Sequence, residues 1–206
     1  GSWTGQGQNP LEWLENNPLR YKKYKMISTV FADLTLYRNL VFRSQFAVDF
    51  SHTTGFSQSF PDYEPNLGEG SAARSSTDGL GLHLTNTLTY RFDKDNVHDF
   101  NFLLGHEWQD YHLEAFSVST AGQTNSKLTD ISTGTRATSW TSTADSDYSR
   151  VSFFGRGEYN YADRYYAEVS VRTDGSSRFG KNNRWGVFGA VGFMWNLRNE
   201  NFRAGT

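Results

Sequence analysis

Apolar and aromatic side chains recur at every second position in three runs between residues 150 and 202. In the first run, one set of alternate positions holds Val151, Phe153, Gly155, Gly157, Tyr159 and Tyr161. The intervening positions hold Arg150, Ser152, Arg156, Glu158 and Asn160. Phe154 is the one apolar residue on this polar side. Side chains of a β-strand alternate between its two faces, so the pattern predicts a sheet with one apolar and one polar face.

The same alternation predicts further strands upstream. They cover residues 24–37, 40–50, 80–92 and 100–114, which brings the total to about seven. Short polar turns separate some neighbouring strands, whereas residues 51–78 and 115–147 form long connections rich in Ser, Thr and Gly. The predicted fold is all-β, an antiparallel up-and-down meander.

Short and long connections alternate along the chain, and aromatic residues gather beside the short turns. An outer-membrane barrel has tight periplasmic turns, long extracellular loops and aromatic girdles, and the alternation therefore favours part of a large transmembrane β-barrel. Ordinary aromatic pairing at the ends of a soluble sheet would also place aromatics there.

Composition limits the alternatives. The chain has 206 residues, no cysteine and a formal net charge of -2, so disulfides and thiolate metal sites are excluded and no excess charge points to nucleic acid. No window approaches the roughly 18 consecutive apolar residues of a membrane helix. Any membrane span in this chain must therefore be a β-strand.

The segment DRYYAEVSVRTDGSSRFGKNNRWGVFGAVGFMW, residues 163–195, resembles the mid-barrel signature of SusC/RagA-type TonB-dependent outer-membrane transporters. The resemblance implies a short periplasmic turn ending in Asp-Arg-Tyr, an ascending strand, a loop and a descending strand that begins Arg-Trp-Gly. The residues of this family-signature loop are Asp174, Gly175, Ser176, Ser177, Arg178, Phe179 and Gly180.

The resemblance also implies a function. Such transporters reside in the bacterial outer membrane, contact its lipid and take up oligosaccharides or peptides, with a SusD-like lipoprotein and the TonB complex as partners. No bond is made or broken, so neither enzymatic activity nor a cofactor is expected.

Seven strands are too few for a plugged transporter of about 22 strands. We therefore expect residues 1–23 to form a polar loop or short helix, and residues 24–206 to form part of a TonB-dependent receptor barrel without the plug domain. Because the chain begins Gly-Ser without an initiator methionine, we also expect either a cloning remnant or a truncated reading of a longer gene.

Polar residues on the strands are the first candidates for a site. Those predicted to face the lumen, where they would solvate a hydrophilic substrate or hold a plug, are Arg43, Asp49, His83, Arg156, Glu158, Glu168 and Arg172. A merely solvated sheet face fits the same pattern. Aromatic residues of the long connections that could stack on sugar rings or peptide side chains are Phe60, Tyr63 and Trp140.

Other chemistry finds little support. His106 and His112 share a strand face but lie about 20 Å apart at about 3.3 Å per residue, so no metal site is predicted. No Gly-x-Ser-x-Gly elbow is present, and no catalytic residues are predicted. Two other classes remain as alternatives: a small outer-membrane barrel enzyme of the omptin or lipase type, and a soluble β-sandwich that binds carbohydrate.

Overall fold

Nine strands form one sheet in the computed structural model, which describes residues 9–62, 69–139, 144–178 and 184–200. The strands are β1 Leu19–Tyr37, β2 Leu40–Ser59, β3 Gly70–Lys94, β4 His98–Gln123, β5 Arg136–Ser139, β6 Ala144–Asp145, β7 Tyr148–Tyr161, β8 Tyr165–Ser176 and β9 Trp185–Trp195. Their order is β1-β2-β3-β4-β7-β8-β9, and the two short strands β5 and β6 pair with β4. The predicted antiparallel meander of seven long strands is confirmed.

One short helix, α1 (Pro10–Asn16), precedes β1. Asn9 caps it by accepting the Leu11 backbone N–H at 3.1 Å, and Pro10 occupies the first turn, where its missing N–H costs nothing. Two 3-10 turns, Ile131–Thr133 and Leu197–Asn199, complete the helical elements of the described ranges. None of these helices is long and apolar enough to cross a membrane.

Several strands run further than the sequence predicts. β1 begins at Leu19 instead of residue 24, β2 continues to Ser59, and β4 continues to Gln123. The extension of β2 is rich in Ser and Thr, whereas that of β1 is basic, with Arg20, Lys22 and Lys23. Their backbone groups are nevertheless paired across strands; for example, the Gln58 N–H donates to the Pro18 carbonyl at 3.1 Å.

The chain divides into two compact units. Unit 1 comprises Gly1–Met26, Asp49–Leu80 and His112–Ser146, and unit 2 comprises Ile27–Val48, Gly81–Tyr111 and Asp147–Thr206. Unit 1 contains the ends of β1 to β4 beside the long connections, and unit 2 contains the short turns and the whole of β7, β8 and β9.

Strand register in unit 2 confirms the two faces. One transverse row joins Phe102, Gly157, Val169 and Val191. The adjacent row joins Asn101, Glu158, Glu168 and Gly192. Strand β9 departs from the pattern because Phe188 and Met194 face the polar side, which makes β9 apolar on both faces.

Two tight turns in unit 2 use left-handed backbone. Asp95 and Asn96 have φ values of 59° and 54°, and Ala162 and Asp163 have values of 51° and 55°. Two consecutive left-handed residues match the right-handed twist of the flanking strands. Asp and Asn tolerate this conformation well, whereas Ala162 does so at a cost.

The sheet has almost no apolar core. Ala72 and Ala121 are its buried hydrophobic residues in the described ranges, while Phe193 is 86% exposed and Val187 is 73% exposed. A soluble sandwich would press such residues between two sheets. The β-sandwich alternative therefore does not fit, because all the strands lie in one sheet with its apolar face uncovered.

Candidate functional site

The polar face of unit 2 carries an ion cluster centred on Arg156. Its Nη2 donates to Glu168 Oε2 at 2.9 Å and also contacts Glu158 Oε1. The register places these groups on the adjacent strands β7 and β8. All three side chains are between one third and one half exposed, so the cluster remains hydrated.

A second cluster surrounds Arg172 and is more enclosed. Arg172 donates from Nη2 to Glu107 at 2.5 Å and from Nε to Asp174 at 2.8 Å. Its guanidinium also lies 5.4 Å from the centre of the Phe154 ring, within the range of a cation–π contact. Phe154, the apolar residue on the polar side of β7, thus binds the Arg172 cation with the face of its ring.

The remaining lumen-facing candidates divide between the units. In unit 2, Arg43 forms a two-pronged pair with Asp33 at 2.6 and 2.7 Å. His83 is half-buried, and its side chain forms no hydrogen bond or ion pair with any part of the chain that the structure describes. In unit 1, Asp49 pairs with Lys25 at 3.0 Å.

Two open depressions lie on the polar side of unit 2. The larger, of about 590 Å³, is lined by polar residues that include Arg91, Asp99, Asn101, Glu158, Tyr166 and Glu168. The other, of about 520 Å³, lies beside Arg43, and Arg91 lines both. The Oδ1 atoms of Asn101 and Asn160 at the larger depression are shielded from solvent and accept no hydrogen bond. The Arg91 guanidinium and the carboxylates of Asp99 and Glu158 offer both donors and acceptors to a solute rich in hydroxyl and amide groups.

Sequence reasoning missed part of this surface. Arg91, Asp99, Asn101 and Tyr166 were not among the candidates, although each lies on the polar side of its strand. Alternation alone could have placed Arg91 and Asn101 there. Their convergence depends on β3, β4, β7 and β8 being neighbours, which the topology supplies.

The structure describes only some of the residues predicted to act in the connections and in the signature loop. Phe60 lines an open depression of about 430 Å³ in unit 1. Tyr63, Trp140, Phe179 and Gly180 lie outside the described residues. In the signature loop, Asp174, Gly175 and Ser176 are the last residues of β8, so the predicted turn begins three residues too early. Ser177 follows them and donates its N–H to the Ser149 carbonyl at 3.0 Å, and Arg178 stacks 4.4 Å from the Tyr148 ring centre.

A hydrogen-bonded cluster beyond the end of β9 connects β8 and β9 to Glu200, which follows the 3-10 turn Leu197–Asn199. Glu200 accepts a hydrogen bond from the Tyr165 hydroxyl at 2.7 Å and another from the Trp195 indole N–H at 3.0 Å. Arg164 lies 3.8 Å away. These donors stabilise the ionised form, so the pKa of Glu200 falls below its ordinary value, led by the Tyr165 bond.

This arrangement defines a class of protein. An antiparallel meander with an exposed apolar face, a hydrated polar face, and tight turns that alternate with long connections along the chain is built like the wall of an outer-membrane β-barrel. The polar side has ion pairs and hydrogen-bonding groups.

Comparisons with known proteins find similar TonB-dependent receptors. The chain is 35% identical over 106 residues to the TonB-dependent receptor SusC of Bacteroides thetaiotaomicron, a match covering 52% of this chain and 10% of that protein. It is 27% identical over 200 residues to the TonB-dependent receptor P26 of Formosa agariphila, covering 94% of this chain and 20% of that one. No family model matches the chain.

A solved structure agrees over nearly the whole chain. The RagAB peptide transporter superposes with a TM-score of 0.86 and 29% identity over 94% of this chain and 22% of that one. The resemblance to SusC/RagA-type TonB-dependent transporters is confirmed, and the fold matches a barrel segment of the RagAB transporter. It spans only about a tenth to a fifth of the length of these relatives. The relatives are receptors and a transporter rather than enzymes.

Proposed function

We propose that this chain forms part of the barrel wall of an outer-membrane transporter that takes up oligosaccharides or peptides. The observation that carries the proposal is the agreement with the RagAB peptide transporter along 94% of the chain at a TM-score of 0.86. The similarity to SusC supports the same class. A SusD-like lipoprotein and the TonB complex would be its partners, and bacterial outer-membrane lipid would cover its apolar face.

The apolar and polar faces of the sheet would have different roles. Val169 and Val191, both more than half exposed, would contact lipid tails. The Arg156 and Arg172 clusters would line the interior with fixed charges of both signs. Such a surface can replace the hydration of a polar solute or hold an interior domain, and neither role breaks a covalent bond.

A pair of adjacent cysteines tests the membrane assignment. The chain has no cysteine of its own, so Val169→Cys and Ser170→Cys would each place a single thiol on one face of β8. We expect a membrane-impermeant maleimide to label Ser170→Cys in isolated outer membranes and to leave Val169→Cys unlabelled. Equal labelling of both would refute the proposal, because Val169 is 51% exposed when no lipid covers it.

Uptake assays distinguish the two substrate classes. A host lacking its own transporter would express the outer-membrane protein that carries this chain and receive labelled oligosaccharides or labelled peptides. We expect energy-dependent accumulation of one class, abolished by a protonophore. Accumulation that persists without energy would contradict TonB-dependent transport.

A further inference from the structure

The outward face of unit 1 carries a basic patch, which we define as Arg20, Lys22 and Arg74. Arg20 and Lys22 are alternate residues of β1, so they share the face of Tyr24. The three cations line the depression of about 430 Å³, together with Phe56 and Phe60. Its size falls within the range of ligand sites.

Aromatic contacts fix the face on which the patch lies. The Arg74 guanidinium stacks 5.0 Å from the centre of the Phe56 ring. Tyr24 stacks on His52 with ring centres 6.5 Å apart. Phe56 and His52 are four residues apart on β2, so both side chains lie on the same side of the strand.

Charge on the patch is only partly compensated. Asp130 lies 3.8 Å from Arg74. Hydrogen bonds from the Ser132 backbone N–H and hydroxyl lower the pKa of Asp130 and keep it ionised. His52 and Asp78 bond each other. Arg20 and Lys22 form no ion pair within the described ranges, so the depression retains an excess of positive charge.

Apolar side chains follow directly along the same face. Tyr24, Met26, Phe50 and Leu80 all belong to unit 1, and their exposed fractions lie between 38% and 64%. At about 3.3 Å per residue, Lys22 lies about 7 Å and Arg20 about 13 Å beyond Tyr24 along the strand. The headgroup layer on each side of a bilayer is about 5–7 Å thick. Barrel strands tilt by about 35–45°, so Lys22 and Arg20 lie about 5 Å and about 10 Å above Tyr24 along the membrane normal. Lys22 is thus within the headgroup layer, and Arg20 is at its outer edge.

We propose that the basic patch binds the phosphorylated headgroup of a glycolipid in the outer leaflet. Arg20, Lys22 and Arg74 would pair with phosphate oxygens, and Phe56 and Phe60 would contact the apolar faces of the sugar. Basic pockets beside an apolar surface bind anionic headgroups in this way. The inference rests on the proposed membrane location, because only a lipid-covered face brings a headgroup to this depression.

The test measures lipid binding by the outer-membrane protein that carries this chain, purified in detergent and freed of lipid. The probes are lipid A with both phosphates, dephosphorylated lipid A, and inorganic phosphate. We expect Arg20→Gln/Lys22→Gln/Arg74→Gln to bind phosphorylated lipid A at least roughly tenfold more weakly than wild type, in line with the attraction of each basic residue to anionic lipid.

A matched pair of single variants controls for general charge effects. Lys22→Gln should weaken binding severalfold. Lys23→Gln, one residue further along and on the opposite face, should leave binding unchanged. This comparison decides the question even if the triple variant fails to fold.

Three results would overturn the inference. They are wild-type affinity in both variants that lack Lys22, equal binding of dephosphorylated lipid A, and equally tight binding of inorganic phosphate, which would indicate a site for a soluble anion. Labelling of the cysteine pair on β8 separates this failure from failure of the proposed function. If the pair reports membrane insertion while lipid binding is unaffected by the variants, only the headgroup site is wrong.

Discussion

Phe154 lies across Gly105 on the neighbouring strand, and a β-carbon on Gly105 would overlap its ring. The two residues are direct partners in the β4–β7 ladder. The Phe154 ring packs on the backbone of Gly105. The same ring also contacts the Arg172 guanidinium. This contact accounts for a phenylalanine on an otherwise polar face.

Gly105→Ala should destabilise the barrel by about 1–3 kcal/mol, because the ring must leave its position over the strand. Unfolding by urea in detergent micelles would measure the change. Gly192→Ala provides the control, since a β-carbon there meets its nearest atom at 4.0 Å and should cost less than about 1 kcal/mol. Equal effects of the two changes would show that the ring does not require Gly105.

Arg172→Met should cost more stability than Arg156→Met. Loss of Arg172 leaves Glu107 and Asp174 without their cation, and these carboxylates are only 25% and 23% exposed. We expect a loss of about 1–3 kcal/mol, compared with less than about 1 kcal/mol for the hydrated Arg156 cluster. The urea midpoints of unfolding of the two variants, measured at equal salt, would show which is less stable. A lower midpoint for Arg156→Met than for Arg172→Met would refute the prediction.

Ala162→Gly should stabilise the protein by about 1 kcal/mol. Ala162 has a φ of 51°, a left-handed conformation that glycine adopts without the strain of a β-carbon. Thermal unfolding monitored by heat-dependent mobility on gels would detect the gain. Ala167→Gly, in the body of β8, should instead destabilise by about 0.5–1 kcal/mol.

Stability should depend on the ionisation of Glu200. Its pKa is lowered in the folded protein, so its contribution is fully present above the unfolded value of about 4.3 and is lost as the pH falls through the lower folded value. Wild type should therefore lose stability, relative to Glu200→Gln, as the pH is lowered below about 4.3. Urea unfolding of both proteins from pH 7 to about pH 3 measures the difference, and parallel curves would exclude the effect.

Alternation in the sequence was enough to predict the seven long strands and the two faces of β4, β7 and β8. Phe102, Val169 and Glu158 all lie on the sides that their positions indicate. The prediction was less successful in unit 1, where β3 begins at Gly70 and β4 continues to Gln123. Polar and small residues fill those strand ends, and the pairing of backbone groups that holds them leaves no hydrophobic pattern.

The candidate site shows the same limit. Arg43 and Glu168 could be assigned to the polar face from their positions alone, and their role in transport stays a prediction. The contact of Phe154 with Gly105 could not be predicted, because these residues are 49 positions apart and meet only through the register of β4 with β7. The basic patch likewise depends on the pairing of β1, β2 and β3.

The alternation of faces constrains how such a chain can change in evolution. Removing one residue from the middle of β7, with the first half of the strand held in register, would carry Arg156 and Glu158 to the apolar face and turn Tyr159 to the polar face. Natural insertions and deletions should therefore accumulate in the connections, and those within a strand should occur in pairs or be absorbed by a bulge. The positions of length differences among homologous sequences would then distinguish the connections from the strands without any structure.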